Sequence, residues 1–197
     1  MSALAFVFSS GWASGLNCYL VVLVLGLADR VHDTEQVPNV LQRWDVLGVA
    51  AFLYAMEFIA DKIPYVDSTW DAISTAIRPT AGAVVGVLLA GQADSLNGAV
   101  AAVVGGGTAL ASHAVKTGSR LAINSSPEPV TNVAASVTED LAVVGVVWFA
   151  IQHPVAAATI AAVLLVVGLV VLYSLAKVVR RGWRRWKGRG GTPAPAS

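Results

Sequence analysis

Four polar side chains recur at helical spacing inside an otherwise apolar run. Asn132, Ser136, Glu139 and Asp140 are related as i, i+4, i+7 and i+8, which places them on one face of an α-helix. A carboxylate in apolar surroundings is costly unless it is paired, protonated or wetted. Two adjacent carboxylates resist ionising together. The chemistry such a face suits is the binding of a cation, a proton or a small polar solute. Two plainer readings stay open: a water-filled vestibule around the acids, or a helix that begins later and is capped by them.

Three further groups could complete such a site. His113, Lys116 and Arg120 are spaced i, i+3, i+7, so they share a face and are able to neutralise the acids. Arg120 reads more simply as a snorkelling cation, while His113 is the group that titrates near neutral pH. Tyr54, Glu57 and Asp61 repeat the i, i+3, i+7 spacing, with Lys62 next to them or a snorkelling cation as the ordinary partner of Glu57. Ser10, Ser14 and Asn17 share another face, and a buried Asn17 amide needs a partner across the fold.

The elements that carry these groups are set by composition. Of 197 residues, 56% are hydrophobic and 13% charged, against about 25% charged in ordinary soluble domains. With a mean hydropathy of +0.68, disorder is excluded and the chain reads as an all-α polytopic membrane bundle. Apolar runs predict about six transmembrane helices, near 12–28, 46–60, 80–90, 97–115, 129–151 and 155–176, with a short segment ahead of the first at 3–8. The third run has about half the length of a bilayer crossing. Ahead of it Trp70, Ile73 and Ile77 share one helical face, and Ser68 with Asp71 resembles a capping box. Residues 68–78 are therefore expected as an amphipathic interfacial helix, Pro79 opening the short span; a kinked continuous helix from 68 to 90 is the alternative. Two sets of three helices allow a 3+3 inverted repeat.

Charge placement predicts topology. With the C-terminus in the cytoplasm, the inner segments hold Lys62, Arg78, Lys116, Arg120 and the seven basic residues between Lys177 and Arg189, and the outer ones Arg30 and Arg43. The bias predicts a multi-pass protein of a bacterial cytoplasmic membrane with both termini cytoplasmic. Residues 1–182 form the expected transmembrane domain and 183–197 a basic tail ending in a disordered Gly190–Ser197 stretch. Because a membrane helix ends just before the basic, Trp-bearing run, it reads as a lipid anchor and not as a nucleic-acid patch. Met1–Phe8 lacks the basic region of a cleavable signal.

Gly11/Gly15 and Gly82/Gly86 form GxxxG pairs, and Gly105–Gly107 a triple. Close helix packing is their plain role, with local unwinding at the triple as the alternative. Cys18 is the single cysteine, and the three histidines are scattered. With no HExxH, GxSxG or P-loop in the sequence, the expectation is a non-enzyme with no cofactor and no metal centre. Small-residue faces in short helices also predict a homo-oligomer.

The segments Ala13–Tyr19, Asp61–Asp67, Arg78-Pro79 and Ser126–Asn132 with Ser136, Glu139 and Asp140 together resemble a bacterial integral-membrane family catalogued as domain of unknown function 4126. The resemblance covers about residues 10 to 180. It implies a membrane protein and carries no activity. Size and the 3+3 layout are also similar to the lysine-exporter superfamily of small transporters, a likeness of architecture alone.

The expected function is a small transporter or channel-like protein for an ion or small polar solute. Glu139 and Asp140 would bind a cation or proton, aided by Asn132 and Ser136, with Asn17, Glu57 and His113 completing or gating the site. The alternative is a non-transporting scaffold or accessory subunit that binds lipid or a protein partner.

Overall fold

The computed structural model describes residues 2–32, 34–63, 65–93, 95–123 and 129–189. The expected disordered stretch 190–197 and the Ser126–Glu128 part of the family motif lie outside them, as do Asp33, Pro64 and Asp94. The described residues form six helices and no strand: α1 Ser2–His32, α2 Trp44–Ala60, α3 Val66–Ala90, α4 Gly98–Ile123, α5 Pro129–Gln152 and α6 Pro154–Arg189. Five of them, all but α2, are long and apolar enough to cross a membrane. Exposed valines, leucines, isoleucines and aromatics cover their outer faces, which water would not tolerate and lipid tails do. The expected all-helical, polytopic membrane bundle is the fold observed.

α1 is not one straight rod. Its helix breaks at Asn17, where φ −156° and ψ 96° are extended. A straight helix of 31 residues would hold its ends about 46 Å apart. Yet Ser2 and Phe6 line one hollow together with Gln36, Leu89 and Gln92. Gln36 is four residues past the end of α1, a reach of about 14 Å at most. The two halves therefore fold back on one another. The first half, α1a (residues 2–16), runs alongside α4: Gly11 sits against Gly105 and Thr108, Gly15 against Ala109 and Ser112. The second half, α1b (residues 18–32), returns along α5, from Asn17 at Asp140 to His32 on Trp148, with ring centroids 5.7 Å apart. Asn17 caps the returning half: its Oδ1 accepts the Leu20 N–H at 3.0 Å.

This hairpin orders the ends of the bundle. One end gathers Ser2, the α1–α2 connection, the α3–α4 connection and the α5–α6 corner at His153. The other gathers the α2–α3 and α4–α5 connections. α6 runs toward that second end, Gly168 lying on Val115 and Leu172 on Gly118, and continues about 18 Å past the end of α4. Ser2 and Arg189 therefore lie at opposite ends.

α3 corrects the expected interfacial helix. It is one helix through Pro79, and its polar residues, not its apolar ones, are buried. Asp67, Asp71, Ser74 and Arg78 face the interior, while Ile73 and Ile77 are exposed. Stripes on an amphipathic helix in lipid are inverted relative to one in water. The Ser68–Asp71 capping box is absent because Ser68 lies inside the helix and Asp71 turns inward. α4 extends to Ile123 and α6 to Arg189, well beyond the apolar runs that predicted them.

α1a, α3 and α4 pack backbone to backbone through glycine. A Cβ on Gly82 would stand 2.6 Å from the Ala109 Cβ and 2.7 Å from the Gly105 carbonyl. α4 stays helical through Gly105–Gly107, so the triple serves packing and not unwinding. Gly82→Leu is expected to lower stability by about 1–3 kcal/mol or more, because the overpacked helices must separate. Gly107 has open space around its missing Cβ, so Gly107→Ala is expected to be neutral or mildly stabilising. Thermal unfolding in detergent, followed by tryptophan fluorescence, separates the two.

Candidate functional site

The tip of the α1 hairpin ends in a buried ionic network drawn from five helices. Arg78 of α3 and Lys116 and Arg120 of α4 are at most 2% exposed. Lys116 is the hub. Its Nζ lies 2.7 Å from Asp61 Oδ2, 3.3 Å from Glu57 Oε1 and 3.5 Å from Glu139 Oε2. Arg78 Nη2 donates to Glu57 Oε1 at 2.7 Å and stands 3.1 Å from Asp71 Oδ1. Arg120 Nη2 donates to Glu139 Oε2 at 2.8 Å and lies 3.5 Å from Asp61 Oδ2.

The broken helix is part of this network. The C-terminal turns of α1a present carbonyls, the last four of them without helical partners, to cations and a hydroxyl of other helices. Lys116 Nζ donates to Leu16 O at 3.1 Å, Arg78 Nη1 to Gly15 O at 3.3 Å, and Ser112 Oγ to Trp12 O at 2.7 Å. Positive charge at a helix C-terminus also suits its dipole. At the start of α1b the sign reverses, and the Asn17 amide and Tyr54 hydroxyl each donate to Asp140, at 3.2 Å.

Asp140 differs from every other acid here. Its direct partners are neutral, whereas Glu57, Asp61, Asp71 and Glu139 each lie within 4.0 Å of a guanidinium or ammonium. Four carboxylates thus face three cations before Asp140 is added. Glu57 Oε2 and Asp61 Oδ1 are buried and make no hydrogen bond. Low dielectric makes such a surplus of negative charge expensive unless protons or cations balance it. Among the described residues, no three His, Cys, Asp or Glu side chains are disposed to hold a metal ion.

Of the expected site residues, Asn17, Glu57, His113, Glu139 and Asp140 converge. Of the two expected partners of Glu57, Lys62 is corrected: Glu57 takes the α3 and α4 cations Arg78 and Lys116, while Lys62 donates to Phe58 O at 3.0 Å and Ser136 Oγ at 3.4 Å. Ser136 joins the edge of the site through that contact. Buried Asn132 contributes its backbone carbonyl to Arg120 Nη1 at 3.4 Å. His113 accepts at Nδ1 from Arg78 Nη1 at 2.7 Å, so its proton is on Nε2, facing the Thr75 hydroxyl at 3.1 Å. Arg120 is no snorkelling cation, being fully buried. Asp71 and Arg78 were missed by the sequence reading. Their signal was the stripe Asp67, Asp71, Ser74, Arg78, spaced i, i+4, i+7, i+11.

A family described as a domain of unknown function (DUF4126) matches the chain over residues 4–174. No curated protein and no solved structure matches it. That match spans all of the network and all but the end of α6, and the chain is a multi-pass helical membrane protein of the DUF4126 family.

Proposed function

We propose that this protein is a small secondary transporter that moves a monovalent cation or small polar solute in exchange with protons. The reading rests on one observation: at the tip of a broken membrane helix the ionic network holds more carboxylates than cations, and the excess acids, Glu139 and Asp140, lie at its partly exposed edge. Discontinuous helices in transporters place ion sites at their exposed ends. Glu139 and Asp140 are the working pair. Glu139 ties α5 to α4 through Arg120, and Asp140 ties it to α1b and α2 through Asn17 and Tyr54. Protonation or cation binding at this pair weakens those ties and frees α5 to shift. Glu57, Asp61, Asp71 and the three cations position it.

In this proposal the host membrane is the bacterial cytoplasmic membrane, with the basic end of α6 in the cytoplasm by the positive-inside rule. Arg78, Lys116 and Arg120 no longer count toward that rule, because they are interior and not loop residues. Lys62 and the α6 run still do. Small exposed faces suit self-association in the same membrane.

The test is flux in proteoliposomes holding a pH-sensitive dye, under an imposed Na+ or K+ gradient. The wild type is expected to give a cation-dependent pH change, and the Glu139→Gln, Asp140→Asn double variant to lose it by at least about tenfold. A double variant that matches the wild type removes the pair from the mechanism. A wild type that matches empty vesicles under both gradients and a panel of small solutes favours the scaffold reading.

A further inference from the structure

α6 carries a second feature, independent of the ionic network. Its 36 residues extend about 54 Å as helix, more than the 40–45 Å of a bilayer with its headgroups. Counted from Pro154, the hydrocarbon ends near Tyr173, about 30 Å along. The stretch from Lys177 to Arg184 then falls about 34–45 Å along, at headgroup level.

Orientation adds to depth. Gly168 and Leu172 mark the side of α6 that packs on α4. At about 100° per residue, Val179 and Trp183 continue that side. Tyr173, Lys177, Arg180, Arg181 and Arg184 fall on the opposite one, facing away from the bundle. These five, with Ala176, line one furrow of about 310 Å³. Among the described residues, no carboxylate lines it. An outward stripe of three guanidiniums and an ammonium at this depth meets phospholipid phosphates before anything else.

We propose that this stripe is a binding site for anionic phospholipid headgroups. The guanidiniums take the phosphate through paired N–H donors, Lys177 adds a point charge, and Tyr173 sits at the hydrocarbon boundary as aromatic residues do there. The occupant is a lipid and not a soluble anion, because the neighbouring surface of α6 is apolar and exposed from Val163 to Val171, ready for acyl chains.

The test uses the full chain reconstituted in nanodiscs of phosphatidylcholine with phosphatidylglycerol. Lipids retained after detergent transfer are counted by native mass spectrometry. Wild type is expected to retain phosphatidylglycerol over phosphatidylcholine by roughly tenfold or more. The Lys177→Gln, Arg180→Gln, Arg181→Gln, Arg184→Gln variant is expected to retain both equally, with an unchanged melting temperature because these side chains support no packing. Equal retention by the wild type overturns the proposal, as does a preference that survives in the variant. A duplex oligonucleotide that binds the wild type with no lipid preference reassigns the stripe to nucleic acid and also overturns it. None of these outcomes touches the flux assay, so the lipid site and the transport site fail separately.

Discussion

Replacing Lys116 with methionine is expected to leave little folded protein. The ammonium is 2% exposed and sits between Glu57, Asp61 and Glu139. Methionine keeps the length and removes the charge. Three carboxylates then keep only Arg78 and Arg120 between them, and Leu16 O loses its donor. Breaking one side of a buried ion pair costs about 3–5 kcal/mol, against a total stability of about 5–15 kcal/mol. The diagnostic result is rescue. The Lys116→Met, Asp61→Asn double variant removes the negative charge as well, and should recover much of the loss even though it has fewer ionic contacts. Size-exclusion profiles and melting temperatures in detergent read both. A Lys116→Met protein that is monodisperse with an unchanged melting temperature would mean that water already reaches the hub and screens it.

The same electrostatic logic explains what could and could not be read beforehand. The face of α5 was legible, since acids at i+7 and i+8 in an uncharged run have few uses. The cations of α4 were visible as a row, yet Lys116 and Arg120 read as loop or snorkelling charges because a charge alone is expected to leave lipid. They stay inside only because Glu57, Asp61 and Glu139, distant in sequence, come to meet them. This pairing also lets α4 run on to Ile123, past the point where its apolar run ends. α3 was misread for a related reason. Trp70, Ile73 and Ile77 on one side of a polar helix describe an interfacial helix and a lipid-facing one equally well. What separates the two is where Asp71 and Arg78 find partners. The α1 break was the least legible feature. A run of apolar residues containing one asparagine looks like a single span, and Asn17 becomes a cap only when Asp140 and the returning half are present.

That break has the most visible consequence. Residue 2 and the end of α6 are expected to be labelled from opposite sides of the membrane, not from the same side as six full crossings would require. The expectation follows from where the helix ends lie. α1 enters and returns, placing Ser2 beside Gln92 and His32 beside Trp148 at one end. α2 to α6 then pass between the ends five times, and an odd number of passages separates the termini. The measurement starts from Cys18→Ser, which clears the single native thiol. Ser2→Cys and Arg184→Cys are then probed separately with a membrane-impermeant maleimide on intact cells and on inverted vesicles. Each site should react in one preparation and not in the other, in opposite senses. Reaction of both sites in the same preparation would mean that α1 crosses the membrane. Asn17 would then be no cap, and the carbonyls of Gly15 and Leu16 would not end a helix beside Arg78 and Lys116. Asn17→Ala gives the energetic counterpart. Losing the cap is expected to cost about 0.5–2 kcal/mol, and it leaves Asp140 with the Tyr54 hydroxyl as its remaining donor of the pair. A hairpin held only by its cap would open in this variant and change the labelling. One held also by Lys116, Arg78 and Ser112 on the other half keeps its sidedness while melting at lower temperature, and the three contacts to α1a carbonyls favour that second result.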